Sequence, residues 1–245
     1  ADCDQYYECA VETAGSPFTC LTTTCAIGRP LLVGETLLFA PARERADWTE
    51  QGLCPETASL AAHLRGALAA HFTAMAAMEH ASIGSFARFS LELLALGAPP
   101  SLLHATHEAA SDEILHARLA FALATAYSGA PVGPGRLPVA GVTPATDERA
   151  IACALVREAC VGETVAAAEA LALSSLVADP ALVSVYTKVS KDEARHAELG
   201  WRSLAWMLEQ TPDLLPVVEE AFSRAVASIS GTPIVASDIV SPEHG

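Results

Sequence analysis

Residues 192–201 read DEARHAELGW, and residues 112–121 read DEILHARLAF. Both write Asp-Glu, two spacers and His-Ala inside sequence otherwise rich in alanine and leucine. Glu-x-x-His alone arises easily in a chain with 8 histidines and 29 acidic residues. The longer string Asp-Glu-x-x-His, written twice, does not. On a helix, residues i and i+3 project from one face. Glu113 with His116, and Glu193 with His196, can therefore each offer a carboxylate and an imidazole to one cation. Their neighbours Leu115, Ala117, Leu199 and Trp201 are not those of a solvated face, which argues against plain surface charge.

The two motifs occupy equivalent places in a repeat. Pro100 lies 13 residues before Glu113, and Pro180 lies 13 before Glu193. A long apolar helix is expected from Thr57 or Ser59 to Gly97, and a second from a Ser101 cap to Gly129. Residues 130–144, APVGPGRLPVAGVTP, cannot be helical and are long enough to cross from one end of a bundle to the other. A third helix is expected from about Ala145 to Val177. A fourth starts near Pro180, a good first-turn residue, and runs to about Gln210. A shorter helix follows Pro212 and fades near Ser230. This predicts an all-α chain: a four-helix bundle with one long crossover and a short C-terminal helix over residues 57–230. A loop-rich extension over residues 1–56 would wrap it, and a tail over residues 231–245 would lie on the surface.

A two-metal bundle site needs one further Glu from each of the other two long helices. Glu79 lies 21 residues before Pro100, and Glu163 lies 17 before Pro180. The difference of four is about one helical turn, so both can face inward at nearly one level. Glu158 and Glu169 are the competing carboxylates on the third helix. Four carboxylates would be costly to bury alone. Two divalent cations balance them while both histidines stay neutral. Carboxylate-rich ligation with one imidazole per metal suits iron or manganese rather than structural zinc. His80 points elsewhere on its helix from Glu79, and His63, His71, His104 and His107 carry no spacing signal.

Composition narrows the remaining classes. The chain has 245 residues, is 51% hydrophobic and carries a net charge of −15 without a basic cluster. Nucleic acid and anionic membrane surfaces are therefore excluded as expected partners, and no apolar run is long enough for a transmembrane helix. Cys3, Cys9, Cys20, Cys25 and Cys54 crowd the first quarter, which points to disulfides and an extracytoplasmic protein: periplasmic, secreted or lipid-anchored. Cys153 and Cys160 are seven apart on one helix, about 10.5 Å, too far to bridge each other. If oxidised, each must pair with the extension.

Residues Glu79, Glu113, His116, Glu163, Glu193 and His196, spread over residues 57–210, resemble the ferritin-like di-metal carboxylate superfamily. The resemblance implies that Glu113 and Glu193 bridge two irons, that Glu79 and Glu163 each bind one terminally, and that each His completes one. It also implies that Asp112 and Asp192 orient the ligand His of the opposite half. Arg195 can pair with Asp112; the first motif has Leu115 at the matching place. Tyr186, seven residues before Glu193, is a candidate redox neighbour, with core packing as its ordinary role. Ile83, Phe86, Ala166 and Ala167 would line either a small apolar pocket or an ordinary core.

The leading function expected is a non-haem diiron oxidase or oxygenase that activates O2. Its substrate would be a small molecule or a peptide side chain, and a separate electron donor would be its partner. A dimanganese, catalase-like peroxide-detoxifying enzyme and a ferroxidase or metal-binding protein without organic substrate are the alternatives. Manganese or a mixed Mn/Fe pair is the alternative cofactor.

Overall fold

The computed structural model describes residues 29–34 and 36–230. The pairing of Cys3, Cys9, Cys20 and Cys25, the tether expected for Cys153 and the course of the tail all depend on residues outside the described ones. The described chain is mostly helical, as expected of an all-α protein.

The first helix, α1 (Ala62–Ala95), packs along α2 (Pro100–Ser128) as a helical hairpin. A tight turn joins them: Gly97, at φ +70°, donates to the Leu94 carbonyl, and Ala98 donates to Leu93. Gly129, at φ +76°, ends α2 by donating to Thr125. Two expected starts are corrected. Neither Thr57 nor Ser59 caps α1, because the Glu56 carboxylate has already accepted the amides of Ala58 and Ser59 in a separate turn. The helix begins only after Ala61, which offers no side-chain cap. Ser101 does not cap α2 either. Pro100, with its φ preset and its missing donor, takes the first helical position, and Pro99 stands before it.

The second hairpin is less regular. Asp147 caps α3 (Glu148–Leu155) by accepting from Arg149. The same helix then widens into a π-helical segment, Val156–Glu163, before continuing as α4 (Thr164–Leu176). Asp179 caps α5 (Pro180–Gln210), accepting from Ala181 and also from the amide of Glu56, which ties the extension to this turn. The α5 helix packs on α4 and on the π-helical segment, and it meets α2 across the two hairpins. After a 3-10 turn, Pro212–Leu214, the last helix α6 (Leu215–Ser230) lies on α3 and the π-helical segment.

Short strand pairs seat the described part of the extension. Strands β1 (Leu32–Val33) and β2 (Thr36–Leu37) form a small antiparallel pair, and β3 (Ala42–Arg43) pairs with β4 (Gly133–Pro134) of the crossover. The larger part of the apolar core falls into two layers, with a small third cluster around Phe121. One holds Phe86, Phe89, Leu93, Leu155, Leu199 and Met207. The other holds Phe72, Leu123, Tyr127, Val185 and Val189.

Close approach of α5 to the π-helical segment depends on Gly200, where a Cβ would stand 2.6 Å from the Ala159 Cβ. Gly200→Ala is expected to lower stability by roughly 1–3 kcal/mol through overpacking, in spite of alanine's better helix propensity. Gly66→Ala, in an open position of α1, is expected to raise it by about 0.5–1 kcal/mol. Urea unfolding of the two variants checks the pair, and equal effects would contradict the packing described.

Candidate metal centre

Between the two apolar layers lies a layer of charge. Along α1 the order is Phe72, Glu79, Phe86; along α2 it is Ala109, Glu113, His116, Leu123; along α5 it is Val189, Glu193, His196, Leu199. The π-helical segment adds Glu163 at its last residue. Two overlapping groups result, Glu79 with Glu113, His116 and Glu193, and Glu163 with Glu193 and His196. The donor atoms within each group lie within 4.8 Å of one another, a spacing able to hold a metal ion.

The two carboxylates from the repeated motifs stand between the two imidazoles. His116 Nδ1 is 3.2 Å from Glu193 Oε1 and 3.8 Å from Glu113 Oε2. His196 Nδ1 is 3.2 Å from Glu193 Oε2 and 3.1 Å from Glu113 Oε1. Each of these carboxylates thus turns one oxygen toward each histidine. Glu79 Oε2 lies 3.9 Å from His116 Nδ1. Burial is nearly complete for all but one: the Glu79 side chain is 15% exposed, while those of Glu113, His116, Glu193 and His196 are at most 5% exposed.

Away from the centre, the halves cross. His116 Nε2 is 3.0 Å from Asp192 Oδ2, and His196 Nε2 is 3.4 Å from Asp112 Oδ2. Each aspartate of one motif therefore meets the histidine of the other. Arg195 donates to both aspartates, at 2.8 Å to Asp112 and 2.7 Å to Asp192. Lys188 also pairs with Asp192. The carboxylates fix both imidazoles so that Nδ1, not Nε2, faces the centre.

No family model, curated protein or solved structure matches this chain.

Whether the residues fit a metal ion can be judged from what they leave unmade. Both oxygens of Glu163, Oε2 of Glu113 and Nδ1 of His116 are buried without a hydrogen-bond partner. Buried polar atoms normally have one, and these four belong to the two groups just described. The donor set, carboxylate-rich with imidazole nitrogen, suits a transition metal such as iron or manganese. The residues fit a metal centre.

Without a cation, protons are the available counter-charge. Burial, and then the charge of Glu113, pushes the Glu79 carboxyl well above its ordinary range. Burial and the charge of Glu193 do the same to Glu163. For His116, burial opposes the charged form, but Asp192 and Glu193 prevail and hold it well above its ordinary value. His196 behaves likewise through Asp112, Glu113 and Glu193. Glu193 is held low against its burial by the two histidines.

Other expected residues fall elsewhere. Tyr186 sits in the apolar layer with Phe72, Leu123 and Tyr127, and burial pushes its phenol up to about 12. His80 meets the edge of Trp48, with ring centroids 4.9 Å apart, beside the one solvent-touched carboxylate. Cys160 is a free, buried thiol rather than a tether to the extension, and Cys54 is free and exposed. Among the described residues, neither carboxylate–imidazole group includes His63, His71, His104 or His107.

A second polar cluster had no motif to announce it. Arg88 pairs with Glu158 at 3.0 Å and stands 3.7 Å from Glu92. Arg29, from the extension, is buried beside them over the rings of Phe86 and Phe89. The Arg88/Glu92 spacing of four was legible. The inward turn of Glu158 was not, because only a π-helical widening brings residues five apart onto one side.

The raised groups set a pH dependence. A group whose folded pKa lies above its unfolded value adds stability below the unfolded value and loses it as pH rises toward the folded one. Glu79, Glu163, His116 and His196 all shift upward from 4.5 or 6.5. The metal-free protein should therefore lose thermal stability as pH rises beyond about 6.5, the ordinary imidazole value. Melting temperatures across that range, with chelator present, check this; a rising or flat profile contradicts the charge arrangement.

Proposed function

We propose that the chain is a ferritin-like four-helix-bundle oxidoreductase that holds two iron ions and uses them to activate dioxygen. The observation that carries this reading is the pair Glu113 and Glu193, each with one oxygen toward His116 Nδ1 and the other toward His196 Nδ1. Such a pair suits two cations side by side. Glu79, Glu113, Glu163 and Glu193 would hold them, with each imidazole contributing through Nδ1. Four carboxylates match two divalent ions when both histidines are neutral.

Two iron ions so held would supply the electrons for reducing dioxygen, with an external donor renewing them. The protein's own contributions are separate. Asp112 and Asp192 hold the Nε2 protons and keep Nδ1 directed inward. The Phe72 and Phe86 layers give the centre an apolar boundary at both ends. Glu79, the least buried of the six, gives ions, small molecules and protons their way in. Loading must expel the protons held by Glu79, Glu163 and the imidazoles, so metal affinity should rise with pH over the same window in which the metal-free protein weakens.

Anaerobic titration with Fe(II), followed by exposure to oxygen in a closed cell, tests the reading. The expected result is two irons per chain, followed by oxygen uptake with appearance of ferric absorption, and repeated turnover when a reductant is supplied. Glu113→Ala and Glu193→Ala should each abolish binding of the second iron. Tight uptake of manganese with peroxide disproportionation and no oxygen uptake would replace this reading with a peroxide-handling one. Failure to bind two ions of either metal would remove it.

A further inference from the structure

We propose that Arg29 makes the centre a receptor for a small monoanion, such as the carboxylate group of a substrate or an inorganic anion, held between its guanidinium and the metal ions. This rests on reading the Glu/His cluster as a two-metal centre.

Arg29 is 4% exposed, and its Nε and Nη1 atoms are buried without any hydrogen-bond partner. An unpartnered buried guanidinium is costly, since N–H donors taken from water need an acceptor. Its neighbours do not supply one. Its Cζ lies 4.7 Å from the centre of the Phe86 ring and 4.1 Å from that of Phe89. Phe86 in turn meets the His196 ring edge-on, with centroids 5.3 Å apart, so one aromatic ring separates Arg29 from a proposed metal ligand. The carboxylates whose charge it feels most are Glu158 and Glu163. Glu158 already uses one oxygen on Arg88 and the other on Arg157. Both oxygens of Glu163 are unpartnered and are committed to the metal position in the reading above.

Unused donors thus stand one aromatic ring from the proposed metal ligand His196, on a residue held by its backbone. The Arg29 carbonyl accepts from Ser82, one turn along α1 from Glu79, and the Leu32 carbonyl accepts from Arg88. Leu31 fills the space over Gly84, where a Cβ would stand 2.9 Å from its Cδ2. A guanidinium fork suits a carboxylate or another small oxyanion, which can accept from it while presenting a further atom to a metal. A monoanion also suits the charge there. The four glutamates are neutralised by two divalent ions, and Arg29, Arg88 and Arg157 against Glu92 and Glu158 leave one positive charge.

The test uses the full chain loaded with two Co(II) ions, titrated with azide, formate and benzoate and followed by its visible spectrum. Saturable changes are expected with azide or formate in the native chain. Arg29→Gln should weaken them about tenfold or more, the loss of a charge-assisted hydrogen bond. Arg202→Gln, which removes an exposed cation of α5 and leaves the Arg29 cluster intact, should change them by less than about twofold. Should Arg29→Gln fail to fold, Arg29→Lys decides: it keeps the cation, loses the fork and should bind several-fold more weakly. Benzoate binding with the same dependence on Arg29 assigns an organic carboxylate; azide or formate alone assigns a small anion, and both outcomes support the proposal. An anion affinity unchanged in Arg29→Gln or Arg29→Lys, or no anion binding to the two-metal protein, overturns it. Failure to take up two Co(II) ions would instead sink the two-metal reading beneath it.

Discussion

Four glutamates and two histidines buried at one level of a helical protein cannot be left with their own charges. Carboxylates taken out of water need a counter-charge close at hand. The fold supplies it in two steps. Near the centre, the carboxylates and imidazoles stand close enough to share protons or to hold a cation. Farther out, Asp112 and Asp192 face the imidazoles and are themselves met by Arg195 and Lys188. The apolar layers on either side make this arrangement strict, because few of their side chains can offer a polar partner.

The repetition in the sequence finds its structural meaning at the crossing of the halves. Each Asp-Glu-x-x-His motif sends its Glu and His inward on one helix and its Asp across to the other motif's histidine. One motif alone would leave an imidazole unoriented and a carboxylate with one oxygen unused. The pairing of α2 with α5 is therefore as much a consequence of the motifs as of the apolar residues around them.

Much of this was legible because it depends on local periodicity. The i, i+3 spacing of Glu113 and His116, the proline before each second helix and the glycines at 97 and 129 act over a single turn. The bounds of α5 came out as expected for the same reason, with Pro180 first and Asp179 capping it. What was not legible depends on contacts distant in sequence. The start of α1 differs from the expected one because Glu56 holds the amides of Ala58 and Ser59 in a separate turn, and the helix begins only after Ala61. The π-helical widening at Val156–Glu163 lies against Gly200 of α5 and against α6, contacts distant in sequence that no local pattern encodes. Arg29 reads as an ordinary loop residue until Phe86, Phe89 and the Arg88 cluster are seen around it.

The central claim, that two metal ions lie side by side between Glu113 and Glu193, is most directly tested by anomalous X-ray diffraction at the iron edge, from crystals of protein loaded with Fe(II) without oxygen. The account predicts two peaks per chain, one at Nδ1 of His116 and one at Nδ1 of His196, with a Glu113 and a Glu193 oxygen beside each. A single peak, no peak between these carboxylates, or metal bound through Nε2 would contradict it.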